Sequence, residues 1–265
     1  MAQATAAGNV RIDYDDFGQG DSAILLMTAW CMSRSGYGEL AQKLAENNRV
    51  LTLDWRGHGQ SEIPAGDFGA NELVEDAIAV IEASGAKEIT LVSMHHSGWV
   101  AIELRRRLGA KITRIVHLDW VVFPPPEPYM GLVRGLASPD GWQQARDTLF
   151  TIWTQGIPNP PKLVTLIKEE MASYSGEMWM RSGREIAAGF DQHIFPLQAL
   201  AKLDPPVPTL HLYGQPKDPG YLVAQQDFAF KNSWFSVHQL NAESFFAQFD
   251  AADEIVDAVE KFIHS

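Results

Sequence analysis

Cysteine is scarce in this sequence, and its scarcity excludes two kinds of site. Cys31 is the only cysteine among 265 residues. No disulfide can form within the chain, and no zinc site built from several thiolates is possible. Because a chain with no disulfides to protect suits a reducing compartment, we expect a cytoplasmic protein.

Long apolar runs and positive charges are also scarce. No stretch of 18 consecutive apolar residues occurs, and residues 1–10 lack the basic start and apolar centre of an export signal. The 21 Lys and Arg residues are outnumbered by 33 Asp and Glu residues, so the formal net charge is −12. Such a charge repels nucleic-acid phosphates and anionic lipid. We therefore expect neither a membrane nor a nucleic-acid partner.

The chain does contain short apolar, β-rich segments that alternate with helical patterns. Strands are predicted at residues 10–15, 23–27, 50–53, 89–92, 113–118, 209–213 and 235–240. Amphipathic or apolar helices are predicted at residues 71–83, 98–108, 222–230 and 253–264. This alternation predicts an α/β fold with a mostly parallel central sheet.

Residues 124–200 depart from this alternation. They begin with the prolines at 124–126, and helical patterns without strands follow at residues 141–154, 161–174 and 176–190. We predict an inserted helical cap here, with residues 1–123 and 201–265 forming the core domain. The cap has more large apolar side chains than short helices need for their own packing: Trp142, Phe150, Trp153, Met171, Met178, Trp179 and Met180. They either pack on the core domain or line an aromatic pocket.

The segment Ser93–Ser97 has the pattern of a nucleophile elbow, in which a strand turns sharply into a helix. Small residues flank the turn, and Gly98 permits close packing of the helix. This pattern indicates the α/β-hydrolase fold and places His95 where a hydrolase carries its serine. An imidazole at this point can act as a base, a hydrogen-bond donor or a nucleophile. Ser93 and Ser97 lie two residues from the apex, so we expect their hydroxyls to point elsewhere.

The usual partners of such an elbow are altered as well. The loop before the last helix, residues 241–247, contains no histidine, and Glu243 is its only titratable residue. Two carboxylates follow strands and could orient an imidazole: Asp119 and Asp218. A turn or capping role is equally consistent with the position of Asp218.

Backbone amides complete the predicted site. The amide of His96, together with that of Trp30 or Cys31, is expected to form an oxyanion hole. We predict a structural role for His58 in a turn at the pocket rim. Sequence neighbours such as His95 and His96 rarely bind one metal ion together, so no metal site is expected.

Several motifs together resemble the cofactor-independent 2,4-dioxygenases of 3-hydroxy-4-oxoquinolines. The resemblance extends over nearly the whole chain and rests on five segments: Leu53–Gly59, His96–Val100, Leu118–Trp120, Trp153 and Arg181–Arg184. It implies an enzyme without metal or flavin in which a histidine, assisted by an aspartate, deprotonates the 3-hydroxyl. The substrate anion then reacts with dioxygen, the peroxide attacks the ring carbonyl, and the ring opens with loss of carbon monoxide.

The resemblance also assigns individual positions. Asp119 matches the family's aspartate, Trp30 a pocket tryptophan, and His96 the histidine after the elbow serine. Three positions depart from the family: His95 replaces the elbow serine, Phe245 takes the place of the base histidine, and residues 32–34 replace a stretch that carries a histidine. We expect the base to have moved to His95, with Asp119 or Asp218 supporting it. Expected substrate contacts are Trp30, Cys31, Met32, Trp120, Trp153 and Phe245.

Three functions are consistent with this sequence. The first is cofactor-free dioxygenolytic cleavage of a small hydroxylated N-heteroaromatic compound, with dioxygen as co-substrate and His95 as base. The second is hydrolysis or C–C or C–N cleavage in which His95 activates water or attacks the substrate. The third is a small-molecule binder that has lost the chemistry. In each case we expect a monomer or a weak homo-oligomer.

Overall fold

A computed structural model describes residues 1–154, 161–193 and 195–265 of the chain. Its described part contains one eight-stranded sheet with the strand order β1-β2-β4-β3-β5-β6-β7-β8. The strands are β1 (Ala2–Ala6), β2 (Val10–Phe17), β3 (Ser22–Met27), β4 (Val50–Leu53), β5 (Glu88–Met94), β6 (Ile112–Leu118), β7 (Thr209–Tyr213) and β8 (Phe235–Gln239). Antiparallel pairing joins β1 to β2 and β2 to β4, and all other neighbours are parallel.

The helices of the core domain connect these strands. They are α1 (Gly38–Leu44), α2 (Ala70–Ser84), α3 (Ser97–Leu108), α9 (Pro219–Lys231) and α10 (Ala252–Ile263). The chain moves in one direction along the sheet from β3 to β4 and in the other from β4 to β5. Because crossovers between parallel strands are right-handed, α1 lies on the opposite face from α2 and α3. The sheet is therefore covered on both sides, which explains why its central strands are almost continuously apolar.

The described residues between β6 and β7 contain five helices, in the region predicted to be a cap. They are α4 (Glu127–Leu136), α5 (Trp142–Thr154), α6 (Pro161–Thr165), α7 (Gly176–His193) and α8 (Pro196–Ala201). A π-helical turn at Leu166–Glu170 and a 3-10 turn at Met171–Ser173 follow α6. The helices α4, α5 and α7 pack against one another. Residues 155–160 and 194, which the predicted cap includes, lie outside the described residues.

The predicted fold class is confirmed, and the seven predicted strands are present within two residues of their expected ends. Strand β1 was not predicted, because the sequence AQATA has no run of large apolar residues. It is an edge strand and pairs only with β2. No helix in the described part of the chain is long and apolar enough to cross a membrane. The boundaries of the cap remain a prediction.

The topology places one crevice of the sheet at a switch point. Strand order reverses between β3 and β5, which are neighbours in the sheet. Ligands of open α/β sheets bind beyond the carboxyl ends of the strands at such a switch point. The loop after β3 carries Trp30 and Cys31, and the turn after β5 carries His95 and His96. The fold therefore brings these four residues to one edge of the sheet.

Candidate active site

The sharp turn between β5 and α3 has the geometry of a nucleophile elbow. His95 stands at its apex with φ of 48°, in the left-handed region that a histidine rarely adopts. Its backbone N–H donates to the carbonyl of Leu118 at 3.0 Å, which ties the turn to the end of β6. A Cβ atom on Gly98 would lie 2.3 Å from the ring of Trp120, so the first turn of α3 requires glycine there.

Left-handed residues other than glycine cluster at this edge of the sheet. Cys31 has φ of 58° and Asp119 has φ of 50°, and they follow β3 and β6, which flank β5. Such conformations cost free energy and persist where the surrounding structure imposes them, often at functional sites. Three strained residues beyond three adjacent strands therefore mark this edge as the candidate site.

The imidazole of His95 is held in one tautomer. Its Nδ1 lies 2.7 Å from the main-chain carbonyl oxygen of Asp119. A carbonyl only accepts hydrogen bonds, so Nδ1 carries the proton and Nε2 presents its lone pair. Although the ring keeps some accessible surface, Nε2 is buried and has no hydrogen-bond partner within the described residues. Burial lowers the pKa of His95 to about 4, and the ring is therefore neutral at pH 7.

Aromatic rings from the core and the cap meet beside this imidazole. The ring of Phe246 packs edge-on against His95 with 5.0 Å between centroids, and the ring of Trp153 in α5 packs edge-on against Phe246 at 5.2 Å. Phe245, the expected residue, is half-buried and packs against the core. The ring in contact with His95 is therefore that of its neighbour Phe246, and the expected contact of Phe245 with substrate stays a prediction.

The carboxylate of Asp119 does not orient the imidazole. Its two oxygens accept hydrogen bonds from the backbone N–H groups of Gly214 at 2.8 Å and Ala247 at 2.7 Å. Burial outweighs these two bonds and raises the pKa of Asp119 to about 7. The expectation that this carboxylate supports His95 is corrected: the carbonyl of the residue holds the imidazole, and the carboxylate holds the loops after β7 and β8.

Asp218 is not part of this cluster, and its expected role as a partner of the imidazole is wrong. The residue is exposed and forms the N-cap of α9, where its carboxylate accepts from the backbone N–H of Gly220 at 2.8 Å. A proline at the following position favours a helix start here. The capping role considered for this aspartate is the one that the structure contains.

The structure distinguishes the two amides that were considered as partners of the His96 amide in an oxyanion hole. The backbone N–H of Cys31 donates to Nε2 of His58 at 3.0 Å, and Nδ1 of His58 donates to the carbonyl of Arg56 at 3.0 Å. His58 is therefore structural, as predicted, and the Cys31 amide is occupied. The amides of Trp30 and His96 form no hydrogen bond within the described residues. They are the remaining pair that could stabilise an oxyanion.

The second histidine of the elbow contacts the cap. Its Nε2 lies 2.8 Å from the hydroxyl of Tyr129 in α4, and its ring also packs against Phe190 in α7. Nδ1 of His96 is buried and has no hydrogen-bond partner among the described residues. Burial, and to a smaller extent the neighbouring His95, lowers the pKa of His96 to about 3. Both elbow histidines are therefore neutral at pH 7.

The elbow serines point away from the apex, as predicted. Ser97 accepts from the backbone N–H of Met94 at 2.8 Å, and its hydroxyl lies 2.9 Å from the carbonyl of Met27. Ser93 lies 2.7 Å from Nδ1 of His117 in the interior. Both hydroxyls form structural hydrogen bonds, so neither serine is placed to act as a nucleophile at the elbow.

The remaining expected contacts are distributed over two regions. The ring of Trp30 stacks on Phe68 at 6.1 Å and lies 5.8 Å from the ring of His58. Met32 is fully buried, and its carbonyl accepts from the hydroxyl of Thr28. Trp30 therefore packs on aromatic rings outside the elbow, while Met32 is a core residue, and their expected contacts with substrate stay predictions.

Trp120 lies behind the elbow. Its ring packs edge-on against Trp99 at 4.9 Å and lies 4.7 Å from the ring of His117. Together with the close approach to Gly98, these contacts make it a packing residue between α3 and the end of β6. Its expected contact with substrate stays a prediction.

Three features of the site escaped the sequence analysis: the Tyr129–His96 hydrogen bond, the use of His58 as acceptor for the Cys31 amide, and the packing of Phe246 on His95. The adjacent phenylalanines at 245 and 246 offered a signal for the last, since either could supply the ring. No group of three or more potential metal ligands occurs in the described part of the chain.

A strained elbow at the switch point of this sheet, with helices inserted after β6, defines the α/β-hydrolase class. The sequence profile of the alpha/beta hydrolase family matches residues 18–258, and the chain belongs to that family. Within it, the chain is a member of the family of 3-hydroxy-4-oxoquinoline 2,4-dioxygenases, to which its full-length relatives belong.

Two relatives and one solved structure illustrate the similarity. The chain is 31% identical to a 2-heptyl-3-hydroxy-4-quinolone dioxygenase of Rhodococcus erythropolis over 88% of this chain and 83% of the relative. It is 30% identical to the 1H-3-hydroxy-4-oxoquinoline 2,4-dioxygenase of Pseudomonas putida over 91% of both chains. The structure of AqdC in complex with its product, described as the basis for ring-cleavage of the Pseudomonas quinolone signal, superposes over all of both chains with a TM-score of 0.94 at 25% identity.

Proposed function

We propose that this protein cleaves the heterocycle of a 3-hydroxy-4-oxoquinoline by inserting both atoms of dioxygen and releasing one ring carbon as carbon monoxide. Relatives that match most of the chain are named for this substrate class. The observation that carries the proposal for this chain is the Nε2 atom of His95, a buried acceptor without a partner in the described residues. It is the group best suited to take the proton of the 3-hydroxyl.

His95 is the proposed base. Because Nδ1 is fixed on the Asp119 carbonyl, proton transfer to Nε2 gives an imidazolium whose other N–H already has an acceptor. The pKa of about 4 describes the site without an anion. A substrate anion next to the imidazolium favours the charged form and raises that pKa, so the transfer becomes more favourable as the substrate binds.

The other groups of the site hold the substrate and its developing charge. After deprotonation, negative charge is shared between the 3-oxygen and ring carbon C2, where dioxygen reacts, and it develops on the 4-oxygen when the peroxide attacks that carbonyl carbon. The amides of Trp30 and His96 are proposed as donors to this oxygen. Phe246, Trp153 and Trp30 supply apolar surface for a flat aromatic ring. Dioxygen reacts with the substrate anion, and the chain provides the base and the donors.

The test is to incubate purified protein, treated with chelator, with 3-hydroxy-4-quinolones that carry either hydrogen or an alkyl chain at position 2. We expect oxygen uptake and release of carbon monoxide in equal amounts. A His95→Asn variant is the matched control, because asparagine tolerates the left-handed conformation and keeps a donor for the Asp119 carbonyl.

Isotope labelling separates this reaction from hydrolysis with the same base. Oxygen from labelled dioxygen, and none from labelled water, should enter the ring-opened product. Label from water in a product formed without oxygen uptake would replace the proposal with hydrolysis. If the protein binds 3-hydroxy-4-quinolones tightly but forms no product from any of them, it is a small-molecule binder that does not catalyse this reaction.

A further inference from the structure

The elbow presents two unsatisfied nitrogens on adjacent residues. Nε2 of His95 and Nδ1 of His96 are both buried and have no hydrogen-bond partner within the described residues. Buried polar atoms in native proteins are nearly always paired with protein, water or ligand. The base proposed above accounts for the first nitrogen, and the second remains to be explained.

Tyr129 determines which proton His96 carries. The phenol is protonated at neutral pH, and burial raises its pKa further. Its hydroxyl has a single hydrogen-bond partner among the described residues, Nε2 of His96 at 2.8 Å. If the hydroxyl donates, Nδ1 carries the proton and is the one unsatisfied group. If Nε2 donates instead, the hydroxyl proton and the Nδ1 lone pair are both unsatisfied. Because each unsatisfied buried group costs free energy, the first arrangement is favoured.

The two histidines therefore offer opposite hydrogen-bonding groups. His95 has an acceptor at Nε2, since its Nδ1–H donates to the Asp119 carbonyl. His96 has a donor at Nδ1, since its Nε2 accepts from Tyr129. A ligand with a hydroxyl and a carbonyl oxygen on neighbouring ring carbons could satisfy both nitrogens at once.

We propose that His96 donates a hydrogen bond from Nδ1 to the 4-oxygen of the substrate while His95 accepts the 3-hydroxyl proton, and that Tyr129 is the positioning residue that fixes the His96 tautomer. This assignment rests on the proposed function, and it identifies the edge of the substrate that the elbow recognises. A cavity of about 10 Å³ is lined by His96, Trp30 and Thr28 among other residues, and His95 is not one of them. That volume suits one water-sized group such as a carbonyl oxygen.

The proposed role involves no transfer of the His96 proton. The N–H stays on Nδ1 while charge on the 4-oxygen grows as the peroxide attacks the carbonyl carbon. Its hydrogen bond therefore strengthens along the reaction, in addition to those from the backbone amides of Trp30 and His96. The fixed tautomer avoids a rearrangement at that moment.

Two substitutions of His96 separate the donor from the rest of the ring. In His96→Gln the side-chain amide reaches the position of Nε2 and can keep the Tyr129 contact, but it leaves no donor at Nδ1. In His96→Asn the amide nitrogen lies near the position of Nδ1 and keeps the donor while the Tyr129 contact is lost. Tyr129→Phe removes the group that fixes the tautomer.

The experiment measures binding without oxygen, where the substrate is not consumed. Dissociation constants are determined for 3-hydroxy-4-quinolone and for 3-hydroxyquinoline, which lacks the 4-oxygen, and their ratio is compared between variants. Any general folding defect affects both ligands and cancels in the ratio. We expect the preference for the quinolone to fall roughly tenfold in His96→Gln, to be retained in His96→Asn and to fall less in Tyr129→Phe.

Oxygen uptake by the wild type is measured in parallel, which keeps the two proposals distinguishable. An unchanged preference in His96→Gln overturns the role of His96, and the proposed function stands if the wild type still consumes oxygen. If His96→Gln loses the preference and the wild type consumes no oxygen, the recognition role of His96 stands and the proposed function is overturned. A wild type that binds neither ligand overturns both.

Nitrogen-15 spectra of histidine-labelled protein test the tautomer without any substrate. We expect the proton of His96 on Nδ1 in the wild type and a mixture of tautomers in Tyr129→Phe. A wild-type spectrum with the proton on Nε2 would contradict the inference, whatever the enzyme does.

Discussion

The Nδ1 atom of His95 lies 2.7 Å from the main-chain carbonyl oxygen of Asp119. The same aspartate accepts the backbone N–H of Ala247 with its carboxylate, and Phe246, the residue before Ala247, packs against the imidazole. One residue therefore sets the tautomer of the proposed base and anchors the loop whose ring covers it. Changes to this residue and to its two partners give separable predictions.

Replacing the base should abolish turnover and leave binding largely intact. In His95→Asn, we expect the rate of oxygen uptake with 3-hydroxy-4-quinolone to fall by roughly 10²–10⁴, the usual contribution of a positioned general base. The dissociation constant measured without oxygen should change little by comparison. A variant that turns over at the wild-type rate would show that another group takes the proton.

The pH dependence of the reaction should reflect the lowered pKa of His95. Because burial lowers this pKa to about 4, the base form persists at pH values where an ordinary histidine with a pKa near 6.5 is protonated. We expect kcat/KM to show no inflection from His95 between pH 5 and pH 6.5, as measured by initial rates of oxygen uptake. Tryptophan fluorescence at each pH would verify that the protein stays folded. An acid limb with its midpoint near 6.5 would argue against this prediction.

The two candidate carboxylates should differ sharply in their importance for stability. Asparagine at 119 tolerates the left-handed backbone, but its amide replaces one of two acceptors by a donor that faces a backbone N–H. We expect Asp119→Asn to lower the free energy of unfolding in urea by about 1–3 kcal/mol. Asp218→Asn is the control, because asparagine caps helices as well as aspartate does. Equal losses in the two variants would be inconsistent with the contacts described here.

The adjacent phenylalanines of the late loop should also differ. Phe246 is 1% exposed and packs between His95 and Trp153, whereas Phe245 is half-buried. Phe246→Ala should cost about 3–5 kcal/mol of stability, as is usual for a buried phenylalanine, and Phe245→Ala clearly less. Urea unfolding of both variants measures this, and the reverse order would contradict the packing of Phe246 between His95 and Trp153.

A buried histidine remote from the base should make stability depend on pH. His211 is fully buried, donates from Nδ1 to the side-chain amide oxygen of Gln225, and has a pKa that burial lowers to about 4. Between pH 6.5 and pH 4 the unfolded chain binds a proton at this residue and the folded chain does not. The wild type therefore loses stability as the pH falls through this range, by about 3 kcal/mol for this one group.

The variant His211→Asn, which keeps a polar group near Nδ1, isolates this contribution. The stability difference between wild type and variant should shift by about 3 kcal/mol in favour of the variant from pH 7 to pH 4. If the stabilities of the two proteins change equally with pH, the pKa of His211 is not lowered in the folded protein.

How far the sequence could predict the site is clearest at the elbow. Short apolar, β-rich runs predicted the strands, and the small residues around His95 predicted the turn, because both depend on residues close together in the chain. The sequence did not predict which of Phe245 and Phe246 packs on His95, because the loop conformation decides between two identical side chains.

The sequence by itself determined that an imidazole stands at the apex of an α/β-hydrolase elbow, because strand period, turn residues and the spacing of the elbow are local properties. Only the tertiary structure decided what that imidazole can do. The carbonyl of Asp119, the ring of Phe246 and the hydroxyl of Tyr129 reach the two histidines from distant parts of the chain. Which atoms of those residues face the elbow depends on backbone angles in the connecting loops, and those angles are fixed by packing across the whole domain.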